Sequence, residues 1–220
     1  MRAPLPLGAA LFTVALLALA QVVLPSLAGD RLRTRLARSG EVERVAVHAF
    51  PAVELLWGSA DRVEVSMRSY RASPGELAST LADGGGVGRL DASTDVLSTG
   101  LLTLRDARLH EQDGVLSGEA LVSEADLRAA VPPPLSVRPI ASGDGQLLLE
   151  GTATLLGASV SARFRLLASE GRLIAEPEGV PFGGLATLTV FSDPHLRVEG
   201  IGVRTAPGGF ALTARGRLAG

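Results

Sequence analysis

Ala158-Ser159-Val160-Ser161-Ala162-Arg163-Phe164-Arg165-Leu166-Leu167-Ala168 is the stretch that decides the fold class. Val160, Ala162, Phe164 and Leu166 fall on one side of an extended chain, and Ser159, Ser161, Arg163 and Arg165 on the other, because successive side chains of a strand point to opposite faces. This period of two predicts a half-buried strand. Its neighbours, Gln146 to Leu155 and Arg172 to Glu176, complete a three-strand meander with turns at Gly157 and Gly171.

The same alternation recurs along the chain. Val45, Val47 and Ala49 share a face, as do Val63, Val65 and Met67 opposite Arg62, Glu64, Ser66 and Arg68. Leu102 to His110 and Val115 to Val122 form a predicted hairpin around Asp113-Gly114, a dipeptide suited to the positive φ values of a tight turn. Near the end, Leu196 and Val198 change phase to Ile201 and Val203 across Gly200, the mark of a bulge. A turn at Ala206-Pro207-Gly208-Gly209 leads into a last strand carrying Phe210, Leu212 and Ala214 inward.

Two helices interrupt the strands. Ser73-Pro74-Gly75-Glu76 supplies a capping Ser, a Pro at the first helical position and an acid at the third; Ser123-Glu124-Ala125-Asp126 opens another with Leu127 and Val131 on one side, stopped by Pro132-Pro133-Pro134. Gly84 to Gly88 and Ser142 to Gly145 read as exposed loops. The predicted fold is α+β: a curved, barrel-like antiparallel sheet of about eight strands with a few helices around an apolar core or cavity, preceded by an N-terminal apolar helix.

That leading helix comes from Leu5 to Ala28, where the only strongly polar side chains are Thr13, Gln21 and Ser26. Leu7 to Leu24 as a helix spans about 27 Å, close to the roughly 30 Å hydrocarbon thickness of a bilayer. A signal peptide fits the same residues, with Arg2 as its charged start and Ala18 and Ala20 preceding Gln21 as an A-x-A-like cleavage site. Residues 1–28 therefore read as a membrane anchor or signal peptide, and 29–220 as a single domain. Asp30 to Ser39, with Leu32 and Leu36 one turn apart among arginines, reads as a short amphipathic helix ending at Gly40. Arg31, Arg33, Arg35 and Arg38 would favour a cytoplasmic domain by the positive-inside rule, although long domains translocate despite flanking charge.

Composition excludes several functions. With 46% hydrophobic and 20% charged residues the chain is too apolar to be disordered. A net charge of −2 argues against binding nucleic acid. The chain has no Cys and no Lys, which removes thiolate chemistry, disulfides, Cys-ligated zinc, a lipid-bearing N-terminal Cys, a P-loop and a Schiff-base lysine. His48, His110 and His195 lack metal-ligand spacing, and no G-x-S-x-G elbow occurs. No catalytic residue, metal ligand or cofactor is predicted. The small residues Ala49, Ala162, Ala168, Ala214, Gly200 and Gly216 fit a tight core or an unfilled apolar interior.

Three segments resemble the actinobacterial LmeA-like phospholipid-binding family: Phe50-Pro51-Ala52-Val53-Glu54-Leu55-Leu56-Trp57-Gly58 leading into Asp61-Arg62-Val63-Glu64-Val65; Gly118-Glu119-Ala120-Leu121-Val122-Ser123-Glu124-Ala125-Asp126-Leu127; and Pro194-His195-Leu196 through Ile201-Gly202-Val203 to Gly209-Phe210-Ala211-Leu212-Thr213-Ala214-Arg215-Gly216. Ala52 stands where that family carries an aromatic residue. The resemblance implies a non-catalytic phospholipid-binding protein, with lipid transfer as a further role, on the outer face of the cell membrane or secreted to the cell envelope, supporting envelope glycolipid or mannan assembly. Its partners would be membrane phospholipid and the cell membrane. Phe50, Val53, Leu56, Trp57, Val63, Val65, Val160, Phe164, Phe210 and Leu212 are the expected lipid-cavity residues, and Arg62, Arg68 and Arg71 the expected headgroup ligands. An enzyme acting on envelope glycolipids and a structural subunit of a membrane complex are the alternatives.

Overall fold

The computed structural model describes residue 21 and residues 23–219, apart from 84–85, 101, 130–134, 144–145, 156–157 and 180–186. Most of the leading apolar segment, Val131 to Pro134, Gly157 and parts of the two predicted glycine loops lie outside the described residues.

A helix over residues 23–36 (α1) precedes β1 (Gly40–His48), a 3₁₀ turn (Ala52–Trp57) and β2 (Arg62–Arg71). Then come α2 (Pro74–Asp83), β3 (Arg89–Thr99), β4 (Leu102–Gln112), β5 (Val115–Ser123) and α3 (Glu124–Ala129). The chain continues through β6 (Leu135–Gly143), β7 (Gln146–Leu155), β8 (Ala158–Ser169), β9 (Arg172–Glu178), β10 (Leu188–Phe191), β11 (Leu196–Ala206) and β12 (Gly209–Leu218). The segment from Asp30 to Ser39 is thus not a separate short helix: its first residues continue α1, and 37–39 form a turn.

The predicted single barrel-like sheet of about eight strands is replaced by two open sheets holding twelve strands among the described residues. One has the order β1-β2-β3-β4-β5-β12-β11 and the other β10-β9-β8-β7-β6. Nor is the pairing wholly antiparallel, since β2 and β3 run parallel, from Val63↔Leu90 to Arg71↔Ser98. Parallel neighbours need a crossover, and α2 provides it. Its start is the predicted capping box: Glu76 N–H donates to Ser73 Oγ (3.3 Å) and Ser73 N–H to Glu76 Oε2 (2.7 Å). Those bonds hold the Glu76 carboxyl below its ordinary range.

The larger sheet stays open because other parts of the chain occupy its edges. Arg33 Nη2 donates to Val42 O (3.5 Å) and Gln21 Nε2 to Ala49 O (3.3 Å), so α1 runs along the outer side of β1. At the far edge, Val198 N–H donates to Gly171 O (2.9 Å), joining β11 to the β8–β9 turn, and β11 packs against β6 to β9.

The predicted turns that fall within the described residues are present. Asp113 and Gly114 have φ of 54° and 77° between β4 and β5, and the register of β11 on β12 shifts between Val198 and Gly200. β7, β8 and β9 form the predicted meander. Asp106, at φ 48°, lies in a second irregularity, where the β4–β5 register shifts between Arg105 and Arg108.

Candidate functional site

The hydrophilic sides of the larger sheet's strands align in register. One row runs Glu64, Asp91, His110, Ser117, Arg215, Gly200, and the next Ser66, Ser93, Arg108, Glu119, Thr213, Gly202. Together with Arg44 on β1, Arg62 on β2 and Arg204 on β11, these rows line an open trough of 950 Å³ that crosses all seven strands. The lining of this trough also takes in Val65, Ala92, Leu109, Gly118, Ala214 and Ile201 from the positions between the polar rows, so it is a mixed polar and apolar surface and not the purely apolar interior that the alternation suggests.

Ion pairs organise its centre. Arg62 reaches Glu64 Oε1 with Nε and Asp91 Oδ2 with Nη2, each at 3.0 Å. His110 Nδ1 lies 2.6 Å from Asp91 Oδ1, and Arg108 Nη1 3.9 Å from Glu119 Oε1. The hydrogen bond from His110, with the charge of Arg62, holds the Asp91 carboxyl below its ordinary value despite partial desolvation. Arg44, Arg204 and Arg215 have no carboxylate partner among the described residues.

The opposite side of the same sheet carries the apolar set. Val65, Ala92, Leu109, Gly118, Ala214 and Ile201 are register neighbours across six strands. Five strand spacings give this row a length of about 24 Å, longer than one leaflet of a bilayer's hydrocarbon core at roughly 15 Å. Val63, Met67, Leu116 and Val122 on this side are buried, whereas Val65, Leu109, Leu212, Ile201 and Val203 are only half-buried. Among the described residues no large side chain is fully buried.

A second cavity, of 440 Å³, opens between α3, β6, β7 and β12. Leu127, Val137, Pro139 and Phe210 supply apolar surface, and Arg128, Arg138, Glu124 and Glu150 a charged rim. Arg138 donates from Nε to Glu150 Oε2 at 2.8 Å, while Arg128 has no ion pair among the described residues. Ser123 caps α3 by accepting from Asp126 N–H (3.0 Å), and Arg105 Nε lies 3.5 Å from Asp126 Oδ2, fixing α3 beside β4.

The expected cavity residues are spread over three places. Phe50, Leu56 and Trp57 are 79%, 66% and 74% exposed in the loop between β1 and β2, with Val53 half-buried beneath them. Val63, Val65, Phe210 and Leu212 belong to the larger sheet, and Val160 and Phe164 to β8 in the smaller. Phe210 lines the second cavity, Val65 contributes to the trough, and the side chain of Val160 lies outside the described residues. Of the expected headgroup ligands, Arg62 is in the trough, already paired with two carboxylates. Arg68 is held by Glu41 (2.5 Å) and Glu43 (3.2 Å), and Arg71 is exposed at the end of β2. A phosphate at Arg62 or Arg68 must displace a carboxylate.

The Asp91–His110 pair joins residues 19 apart in sequence across two strands. The signal that could have found it is the polar side of each strand read together: Arg62/Glu64, Asp91/Ser93, Arg108/His110 and Ser117/Glu119. Elsewhere, His195 Nδ1 lies 3.2 Å from Asp193 Oδ1, and no group of three or more His, Asp or Glu converges on a metal position among the described residues. No described helix is long and apolar enough to cross a membrane.

No curated protein and no solved structure matches the chain. The family model described as LmeA-like phospholipid-binding matches residues 17–214, from the leading segment through the turn that exposes Trp57 to the last strand. The chain is a member of the LmeA-like phospholipid-binding family.

Proposed function

We propose that this protein is a non-catalytic phospholipid carrier of the cell envelope, which lifts lipid from a membrane and supports the assembly of envelope glycolipids. The observation that carries this reading is the incomplete burial of its apolar strand faces. Two sheets of this size, if packed only on themselves, would close over their large side chains. Here Val65, Leu109, Ile201 and Leu212 stay half-exposed beside the small residues Ala92, Gly118 and Ala214. An acyl chain laid along that row gains about 0.8 kcal/mol for each CH₂ removed from water. The cavity at Phe210 takes the headgroup end of the lipid, and the guanidinium of Arg128 at its rim, which has no ion pair among the described residues, offers paired N–H donors to the phosphate. The test is exchange: the full chain should move a labelled phospholipid between donor and acceptor liposomes, and the absence of any exchange above background would count against the proposal.

The Asp91–His110 pair keeps an enzyme acting on glycolipids as a second reading, because Ser117 is the next residue in that row. Against it, Ser117 makes no hydrogen bond to His110 among the described residues, and the neighbouring backbone N–H groups are committed to the sheet ladders. A His110→Gln variant that abolishes turnover of a glycolipid without affecting lipid exchange would favour the enzyme.

A further inference from the structure

The loop between β1 and β2 presents three large apolar side chains to water, and its backbone is fixed in doing so. Phe50 N–H donates to Asp61 Oδ2 (2.6 Å), Glu54 N–H to Pro51 O (3.0 Å), Gly58 N–H to Leu55 O (3.2 Å) and Ser59 N–H to Glu54 O (3.2 Å). Ala52 is completely buried under the turn, and Gly58 at φ 79° takes the left-handed position that closes it. Phe50, Leu56 and Trp57 are therefore held outward by a folded turn. Isolated exposed apolar residues are ordinary, but three within eight positions on a rigid turn mark a contact surface.

The position of the turn identifies what it contacts. Gln21, one of three polar side chains in the run from Leu5 to Ala28, fastens the turn at two points: its Nε2 donates to Ala49 O (3.3 Å), and its Oε1 accepts from Ala52 N–H (2.9 Å). Whatever surface receives the residues just before Gln21 thereby meets Phe50 and Trp57 at once. Val23 and Leu27, partly exposed on α1, add to the apolar surface at this end. Glu54, half-buried, is the only charged residue from 50 to 58. Trp and Phe flanked by so little charge suit the boundary between headgroups and acyl chains.

We infer that Phe50, Leu56 and Trp57 form a membrane-docking tip that dips into the bilayer beside the leading apolar segment and sets the domain at a fixed height on it. This rests on reading the apolar run that leads up to Gln21 as membrane-inserted, and it is independent of how the sheets hold lipid. Trp57 is the only tryptophan in the chain and reports on the tip directly. The full chain is reconstituted into phosphatidylcholine vesicles, with and without bromine atoms near the headgroup end of the acyl chains, and Trp57 fluorescence is recorded.

The expected result is a blue-shifted emission that brominated lipid strongly quenches. The variant Phe50→Ser with Leu56→Ser should still float with vesicles, keep its circular dichroism spectrum and keep its phospholipid exchange from dilute donor liposomes, yet lose most of the quenching. Flotation of the unaltered chain with Trp57 unquenched, as a tip seated on another protein or a second copy would give, overturns the inference. So does a chain that does not float at all. Loss of lipid exchange with quenching intact would instead strike the carrier function alone.

Discussion

Replacing Phe210 with Ala probes the junction where the sheets and α3 enclose the second cavity. A fully buried Phe costs about 3–5 kcal/mol when truncated to Ala, and Phe210 is half-buried, so roughly half of that, about 2 kcal/mol, is expected in the lipid-free protein. For a domain of this size about 1 kcal/mol lowers the melting temperature by about 2–4 °C, which makes the expected fall about 4–8 °C. Phe210 also lines the site where the lipid's headgroup end is placed. Bound lipid stabilises the folded state in proportion to its affinity, so the rise in melting temperature on adding phospholipid should be smaller in the variant than in the unaltered chain. Differential scanning calorimetry of both proteins, stripped of lipid and then titrated with a short-chain phosphatidylglycerol, measures both effects. A fall of 1 °C or less by the same scale, or an undiminished lipid-induced rise, would refute the placement of Phe210.

Two further perturbations test the sheet and the trough. A Cβ added at Gly209 would sit 2.1 Å from Val122 O, so Gly209→Ala should force β12 away from β5 and abolish cooperative unfolding near the unaltered melting temperature; a wild-type melting curve would contradict the register. Asp91 ionises more readily in the folded chain than in the unfolded one, so its contribution to stability is present above its ordinary value of 3.8 and is lost as pH falls through the lower folded value. Asp91→Asn should accordingly narrow the stability difference between neutral and strongly acidic pH in denaturant titrations. An unchanged acid limb would show that the pairs with His110 and Arg62 are not energetically coupled to folding.

Much of the local structure was legible in the sequence because each piece depends on few residues. The alternation in Val160, Ala162, Phe164 and Leu166 gives β8, Asp113-Gly114 gives the β4–β5 turn, Ser73 with Glu76 gives the start of α2, and Gly200 marks the bulge in β11. What escaped depended on partners. β3 alternates Asp91, Ser93 and Asp95 with Ala92 and Thr94, a weak contrast that acquires meaning only between β2 and β4. β6 carries Pro139, which reads as a strand breaker until the edge position of β6 is known. The division into two sheets follows from how α1 and the β8–β9 turn occupy the edges of the larger one, contacts between residues as far apart as Gln21 and Ala49.

The site was legible in part for the same reason. The segment from Phe50 to Trp57 stands out in the sequence, but an apolar run does not say whether it is packed inward or held outward, and the bonds from Gln21 and Asp61 decide that. Arg62 was singled out by its strand, whereas its engagement with Glu64 and Asp91 depends on the parallel pairing that the sequence pattern did not reveal.

The most direct measurement is organic extraction of the purified full chain followed by mass spectrometry of the extract, with native mass spectrometry of the intact protein alongside. Phospholipid recovered in fixed proportion to protein, and lost from the intact mass on extraction, is the predicted result. A chain that emerges free of lipid, and stays free after incubation with phospholipid vesicles, would contradict the reading of its half-covered apolar faces as a lipid-binding surface.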